Sequence, residues 1–249
     1  MQYGICHLSI VPLRSEPQHH GELSSQVLYG EHFKVLEQRK YWSRIRLAFD
    51  NYEGWIENVQ FQLIDEAMYH AIQSETMVLS ADLVEFIYDA QNNLLPIPLG
   101  CNVGSAHHLN ASFDGEKKQG VLPKERLVET AFLYINSPYL WGGKTPFGID
   151  GSGLAQMVYK LNGYKLSRDA AQQAKQGEAL SFIEESEPGD LAFFDDDEGN
   201  IVHVGIIMKD NYIIHSYGKV RIDRLDHTGI FNVDKKMHTH KLRVIKKIV

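Results

Sequence analysis

The stretch from Tyr139 to Gly163 constrains the fold of this 249-residue chain more than any other. Its first half is rich in glycine and contains one proline, which predicts an irregular loop. Four apolar residues of the second half recur at the i, i+3, i+4, i+7 spacing of one helix face: Leu154, Met157, Val158 and Leu161. This spacing predicts a helix, with Asp150 at its N-cap and Gly163 where the chain leaves it.

The first turn of that helix, residues 150 to 152, is suited to an anion. Unpaired backbone N–H groups and the positive end of the helix dipole both favour negative charge there. A cysteine thiol at this place would have its pKa lowered and would become a nucleophile near neutral pH.

Several motifs follow one another in a fixed order around this stretch. They are Tyr-Leu-Trp-Gly-Gly from residue 139, Asp150-Gly151-Ser152-Gly153, Pro-Gly-Asp-Leu-Ala-Phe-Phe from 188, His-Val-Gly-Ile from 203 and Ile-Ile-His-Ser from 213. In these motifs the chain resembles the NlpC family of papain-like cysteine peptidases, which cleave peptides of the bacterial cell wall. The family carries Asp-Cys-Ser-Gly where this chain has Gly151, so the nucleophile is missing.

Two histidines match the remaining catalytic positions of the family. His203 corresponds to the base, and His215 corresponds to the third member that orients it. The two histidines are twelve residues apart, with a turn near Asp210-Asn211. This spacing predicts neighbouring antiparallel strands that bring the two rings together. A structural role is the alternative for an isolated histidine among apolar residues.

Gly151 excludes an acyl-enzyme, and no neighbour replaces the thiol. Ser152 lies about 100° further around the helix, and Cys101 belongs to no nucleophile motif. Two explanations stay open. Either a cysteine was replaced in order to trap a substrate, or the chain is a natural pseudoenzyme that binds murein peptides or a protein partner without cleavage.

The first part of the chain predicts a small β-barrel. Short strands are expected at Leu8–Val11, Val27–Tyr29, Phe33–Glu37, Trp42–Leu47 and Gly54–Ile56. This pattern resembles the bacterial SH3-like domains that precede NlpC-type domains. We therefore expect an SH3-like domain over residues 1–64, a second, degenerate SH3-like domain or linker over 65–120, and the peptidase domain over 121–249.

Residues 121–249 predict helices first and an antiparallel sheet afterwards. This order is typical of an α+β fold, and it is the papain-like order. A first helix is expected from Pro123, and a short helix over Arg168–Lys175 with Ser167 as its cap.

The resemblance also implies a substrate class. Family members with SH3-like domains resemble γ-D-glutamyl-L-diamino-acid endopeptidases, which act on murein peptides with a free N-terminal L-Ala. Tyr52 matches a tyrosine of that site, and Glu22 and Asp150 are candidate carboxylates for the substrate ammonium. The alternatives are a solvated surface for Glu22 and an N-cap for Asp150.

Four further positions are candidate contacts to the substrate: Ser152, Arg168, Asp169 and Trp141. The Arg168-Asp169 pair matches the family and is expected near the α-carboxylate of D-Glu, with an intramolecular ion pair as the alternative. Trp141 is expected to form a wall of the cleft, although packing alone would also explain it.

Composition limits the other functions. A net charge of −7 argues against nucleic acid binding, and no segment is long and apolar enough to span a membrane. The start of the chain does not resemble a signal peptide, so we expect a cytoplasmic protein in which Cys6 and Cys101 are small buried residues. No cofactor or metal is expected, since neither His107-His108 nor His238-Thr239-His240 has a recognisable zinc-site spacing.

Overall fold

The computed structural model describes all 249 residues, and the chain forms two compact units. Unit 1 consists of Met1–Gly120 together with Trp141–Thr145. Unit 2 consists of Val121–Leu140 together with Pro146–Val249. The glycine-rich loop therefore divides between the units, with its Trp-Gly-Gly-Lys-Thr segment in unit 1.

Unit 1 begins with seven strands that form one antiparallel sheet. They are β1 (Gln2–Ile5), β2 (Ile10–Arg14), β3 (Leu23–Leu28), β4 (His32–Gln38), β5 (Trp42–Leu47), β6 (Glu53–Glu57) and β7 (Gln62–Ile64). Their order in the sheet is β3-β2-β6-β5-β4-β1-β7. The strand predicted over Trp42–Leu47 is present with those bounds, because its alternation buries Trp42, Ile45 and Leu47 in the core.

The rest of unit 1 contains a helix and short strands. They are α1 (Glu66–Ser74), β8 (Val78–Ser80), β9 (Val84–Tyr88), β10 (Leu94–Pro98), a 3₁₀ helix (Val103–Leu109), β11 (Ser112–Phe113), β12 (Lys117–Gln119) and β13 (Lys144–Thr145). Helix α1 begins at a true cap, since the Asp65 carboxylate accepts a hydrogen bond from the Met68 N–H at 2.8 Å. Strand β10 lies at the edge of the sheet β10-β9-β11, where its two prolines are tolerated.

Unit 2 places its helices before most of its sheet. They are α2 (Arg126–Phe132), α3 (Gly151–Leu161) and α4 (Ala170–Gln173), with the short strand β14 (Gly148–Ile149) before α3. The helix predicted after Asp150 is present, and Gly163 has the positive φ of 84° expected beyond its end. Every residue of α3 except Ser152 is buried, so this helix is the centre of unit 2.

The sheet of unit 2 is antiparallel throughout. Its strands are β15 (Glu178–Leu180), β16 (Leu191–Asp195), β17 (Ile201–Ile207), β18 (Tyr212–Tyr217), β19 (Lys219–Leu225), β20 (Gly229–Asn232) and β21 (Met237–Lys247). Their order is β15-β21-β16-β17-β18-β19-β20, and β21 pairs with β20 as well. That additional pairing closes six of the strands into a ring, and α3 packs on β17 and β18.

Two helix predictions in unit 2 were wrong in their bounds. The first helix begins at Arg126 and not at Pro123, although an N–H of Arg126 already bonds to the Pro123 carbonyl. The helix expected over Arg168–Lys175 is confined to Ala170–Gln173, and its N-cap is Asp169 in place of Ser167. The backbone of Ser167 is held by side-chain amides instead, since its N–H bonds to Gln176 and its carbonyl to Gln173.

No helix of the chain has both the length and the apolar character that a membrane span requires.

Candidate active site

The candidate site of unit 2 is built at the start of α3. Asp150 has an extended backbone, and its carboxylate accepts a hydrogen bond of 2.6 Å from the Gly153 N–H. The residue between them, Gly151, opens the helix and is buried. The position that the sequence assigns to a nucleophile therefore lies in a capped first helical turn, where a negative charge is favoured.

Two histidines and a carboxylate form a chain of hydrogen bonds across three neighbouring strands. His203 Nε2 on β17 lies 2.9 Å from His215 Nδ1 on β18, and His215 Nε2 lies 3.1 Å from Asp223 Oδ2 on β19. The ring contact expected from the sequence spacing is thus present. Gly205 makes it possible, because a Cβ atom there would approach the Ile213 side chain to 2.6 Å and His215 Cβ to 3.0 Å.

Asp223 fixes the direction of this chain. Burial alone would raise the pKa of its carboxyl, but hydrogen bonds from His215 and Arg221 and from the N–H of Val233 lower that pKa to about 2. A carboxylate can only accept, so His215 Nε2 must carry a proton and His215 Nδ1 must accept one from His203 Nε2. His203 is then left with a lone pair on Nδ1.

That lone pair faces the start of α3. A Cβ atom built on Gly151 would lie 3.0 Å from both Nδ1 and Cε1 of His203 and 3.1 Å from the Val204 carbonyl oxygen. An imidazole base is therefore in contact with the nucleophile position of the motif. A larger side chain at 151 requires the His203 ring to move by a few tenths of an ångström, since these distances are shorter than ordinary carbon contacts.

A third histidine covers His203 from β21. The ring of His240 stacks on that of His203, with 4.3 Å between centroids and 26° between planes. Burial lowers the pKa of all three rings, and like charge lowers those of His203 and His240 further; the pKa of His240 falls to about 4. The cluster is therefore neutral at physiological pH.

Asp150 and Arg168 form a buried ion pair next to this turn. The Arg168 side chain is 1% exposed, and it donates hydrogen bonds of 3.0 and 2.7 Å to the two carboxylate oxygens of Asp150. Ser152 Oγ joins them, because it accepts from Arg168 at 2.9 Å and lies 3.2 Å from Asp150. The alternatives considered for Asp150 and Arg168, an N-cap and an intramolecular ion pair, are both present, and Ser152 points into this network.

Of the other candidate residues, three belong to unit 1 and one belongs to unit 2. In unit 1, Trp141 Nε1 donates to Glu22 Oε1 at 2.6 Å, and both residues are exposed. Tyr52 is half-buried against the core of the barrel. Asp169 of unit 2 is half-buried at the start of α4.

Sequence reasoning missed two residues of the site, Asp223 and His240. A signal for Asp223 was available, because a hairpin centred on Gly218 pairs His215 with Arg221 and Ile213 with Asp223, which is the observed register. It places Arg221 and Asp223 on the face that carries His215. No comparable local signal existed for His240, since it reaches His203 only through the order β21-β16-β17.

Comparisons with known proteins match both units. The NlpC/P60 family matches residues 136–239, and the bacterial dipeptidyl-peptidase Sh3 domain matches residues 13–60. Dipeptidyl-peptidase 6 of Lysinibacillus sphaericus is 30% identical over an alignment that covers 86% of this chain and 88% of that protein. Gamma-D-glutamyl-L-lysine dipeptidyl-peptidase of Bacillus subtilis is 27% identical, with 78% and 72% covered.

Solved structures show the same fold. A NlpC/P60 family protein from Bacillus cereus has a TM-score of 0.82 at 19% identity, with 99% of each chain covered. A NlpC/P60 endopeptidase from Photobacterium damselae has a TM-score of 0.71 at 15% identity, and the match covers 97% of this chain and 70% of that one. Units 1 and 2 are therefore similar to a small SH3-like barrel domain and to the NlpC/P60 fold.

Proposed function

Because this chain belongs to the NlpC/P60 family, we propose that it recognises murein peptides of the form L-Ala-γ-D-Glu-diamino acid on a cysteine-peptidase scaffold from which Gly151 has removed covalent catalysis. One observation carries the proposal. The His203 Nδ1 lone pair is aimed at residue 151 by a complete chain of hydrogen bonds that ends on Asp223. The name of the Bacillus subtilis relative, which specifies a γ-D-glutamyl-L-lysine bond, supports the substrate class.

A cysteine at position 151 would supply the missing chemistry. Its thiol proton passes to His203 Nδ1, and the dipole of α3 and the imidazolium stabilise the thiolate. The thiolate attacks the γ-carbonyl of D-Glu, and His203 then gives its proton to the leaving amine of the diamino acid. Water hydrolyses the thioester with His203 as the base. The thiol and the neutral His203 ring are then restored.

Without that thiol, the protein cannot form a covalent intermediate, and it binds the peptide without cleaving it. Loss of the nucleophile in a peptidase costs about 10⁶-fold in turnover. The protein as it stands is then a binder of the peptide, in which Glu22 and Tyr52 of unit 1 recognise the ammonium of L-Ala. Asp150 and Arg168 keep a positioning role, because their charges are already paired with each other.

The test is the Gly151→Cys variant with L-Ala-γ-D-Glu-diaminopimelate, followed by mass spectrometry. We expect free diaminopimelate to appear at least about 10³-fold faster than with the unchanged chain. The matched control is Ser152→Cys, which places a thiol one residue further along α3, in the Asp150–Arg168 network, and is expected to give no gain.

A folded Gly151→Cys protein that binds the peptide without cleaving it would contradict the peptidase ancestry of the site. Calorimetry tests the binding step separately. The unchanged chain is expected to bind the free peptide more tightly than its N-acetylated form, because acetylation removes the ammonium charge. Equal affinities would remove Glu22 and Tyr52 from the proposal, and no binding of either peptide would contradict the substrate class.

A further inference from the structure

Unit 1 contains a cluster of metal-ligand side chains that takes no part in the proposed peptidase site. It consists of Glu75, which follows α1, and of His107 and His108 in the 3₁₀ helix; we call it the Glu75 cluster. Glu75 Oε1 lies 2.9 Å from His108 Nε2 and 3.7 Å from His107 Nε2. One ligand atom from each residue lies within 4.8 Å of the others. We propose that the Glu75 cluster is a binding site for a divalent transition metal ion, with Zn²⁺ as the preferred ion.

The distances agree with zinc coordination. Zinc binds imidazole nitrogen and carboxylate oxygen at about 2.0–2.2 Å in a tetrahedron, which puts two ligand atoms about 3.3 Å apart. The two observed distances lie on either side of that value and within about half an ångström of it. Small side-chain rotations would bring both Glu75–histidine pairs to that spacing, and the ligand atoms of His107 and His108 lie within 4.8 Å of each other.

A backbone carbonyl already orients one of the two histidines of the cluster. His107 Nδ1 lies 2.9 Å from the Gly104 carbonyl oxygen, which can only accept, so Nδ1 carries the proton and the Nε2 lone pair points toward Glu75. Backbone carbonyls fix metal-binding histidines in the same manner in known sites. The His108 side chain is only 15% exposed, which restricts its ring, whereas His107 at 63% leaves room for water as a further ligand.

The electrostatic setting favours a cation. Glu75 is the C-cap of α1, and both histidines lie in the last turn of the 3₁₀ helix, so two helix C-terminal ends point at the cluster. The helix dipole disfavours an anion at such an end and favours a positive charge, and no basic residue occupies the last turn of α1. A divalent ion would interact favourably with the negative ends of both helices and with the Glu75 carboxylate.

The ligand types select the ion. Two imidazoles with one carboxylate suit zinc and its transition-metal neighbours, whereas Mg²⁺ and Ca²⁺ prefer oxygen ligands alone. The hydrogen bond to Glu75 needs a proton on His108 Nε2, and a metal ion needs the lone pair of that nitrogen. Binding therefore requires the neutral ring to be protonated on Nδ1: the Nε2 proton goes to water, and a neutral ring takes one from water at Nδ1. The ion would then fasten the end of α1 to the 3₁₀ helix.

A second group of histidines near the peptidase site, His203, His215 and His240, is a weaker candidate. Ring stacking does not separate the two groups, since His203 lies against His240 with 4.3 Å between centroids and His107 lies against His108 with 3.9 Å. The difference is in the hydrogen bonds, because His203 Nε2 and both nitrogens of His215 are already engaged with each other and with Asp223.

The test is calorimetric titration of the whole, metal-free chain with ZnCl₂ and with MgCl₂. We expect one Zn²⁺ per chain and no Mg²⁺ binding. Glu75→Gln should weaken zinc binding at least about tenfold, since even second-shell changes cost 10–100-fold. The double change His107→Ala, His108→Ala should abolish it. His70→Ala is the matched control, because His70 is an exposed histidine on α1 near Glu66, and it should leave zinc binding unchanged.

Zinc binding that survives in the double variant, or no zinc binding by the unchanged chain, would overturn the proposal. X-ray absorption at the zinc edge keeps the test independent of the folding of any variant. The zinc-loaded unchanged chain should show only nitrogen and oxygen ligands at about 2.0–2.2 Å, including imidazole. A sulfur ligand would place the ion at Cys6 or Cys101 and contradict the assignment.

Discussion

At the scale of single residues, the proposed function depends on Gly151 and on the groups that face it. The His203 base, the His215 ring and the Asp223 carboxylate still form a continuous chain of hydrogen bonds that ends beside position 151. A buried polar network of this kind is costly if one member is unpaired. The hydrogen bonds of this network are complete beside position 151, as the proposed recovery of activity by Gly151→Cys requires.

Asp223→Asn tests the direction of that chain. With Asp223 ionised, we expect both His203 and His215 to carry their protons on Nε2 at pH 7, as measured by ¹⁵N NMR. An amide at 223 can donate as well as accept, so the variant should shift His215 toward the Nδ1–H form. In the Gly151→Cys background it should also lower turnover by on the order of 10²-fold or more.

The control for this prediction is Asp226→Asn. This change alters an exposed Asp–His pair, in which Asp226 Oδ2 lies 2.9 Å from His238 Nε2. It should leave the two site histidines unchanged. Equal protonation patterns in the Asp223→Asn protein and the unchanged chain would show that Asp223 does not set the tautomers.

Sequence analysis could anticipate part of this site. The pairing of His203 with His215 followed from the spacing of two strands, because a hairpin is a local structure. Asp223 could have been found by extending the same register by one more strand. The stacking of His240 depends on a closed ring of strands whose order no local pattern encodes.

At the scale of elements, α3 depends on its first turn. Asp150 caps the helix and also neutralises Arg168, which is buried with it. The two roles differ in energy, since a helix cap contributes about 1 kcal/mol whereas breaking a buried ion pair costs about 3–5 kcal/mol.

Asp150→Ala is therefore expected to lower the free energy of unfolding by about 3–5 kcal/mol, measured by denaturant titration. Asp65→Ala is the matched control, because Asp65 caps α1 in the same way but has an exposed setting, and it should cost about 1 kcal/mol. Adding Arg168→Met to Asp150→Ala should recover part of the loss, since it removes the uncompensated charge. If both caps cost the same, the ion pair does not stabilise α3.

Element prediction succeeded where a periodic pattern and a cap coincide. Strand β5 and helix α3 show this, because burial alternates in the first and the second starts at a capping carboxylate. It failed for α4, whose expected first turn is replaced by side-chain hydrogen bonds of Ser167: its N–H donates to Gln176 Oε1, and its carbonyl accepts from Gln173 Nε2. Strands β15 and β20 were not predicted, since each is short and is defined mainly by its partner β21.

At the scale of the whole molecule, partly or fully buried histidines in both units are held neutral. Burial lowers the pKa of His7 and His32 in unit 1 and of His203, His215 and His240 in unit 2. In the unfolded chain these rings have a pKa of about 6.5. The unfolded state therefore binds more protons below that pH, and folding stability must fall as the pH falls from about 6.5 toward the native pKa values.

The expected result is a thermal unfolding midpoint that is constant above about pH 7 and falls steadily between pH 6.5 and 4.5, measured by calorimetry. Each fully shifted histidine contributes a slope of about 1.4 kcal/mol per pH unit. His240→Phe keeps the ring on His203 but cannot bind a proton. Because His240 is partly accessible to solvent, this variant should reduce the loss of stability over that range by about 1–2 kcal/mol.

His227→Phe serves as the matched control, because His227 is exposed in a turn of the same unit. The unfolding midpoint of this variant should depend on pH as that of the unchanged chain does. A stability that rises as the pH falls below 6.5 would require histidines that gain protons on folding. That result would contradict both the burial of these rings and the neutral state of His203, on which its proposed role as a base depends.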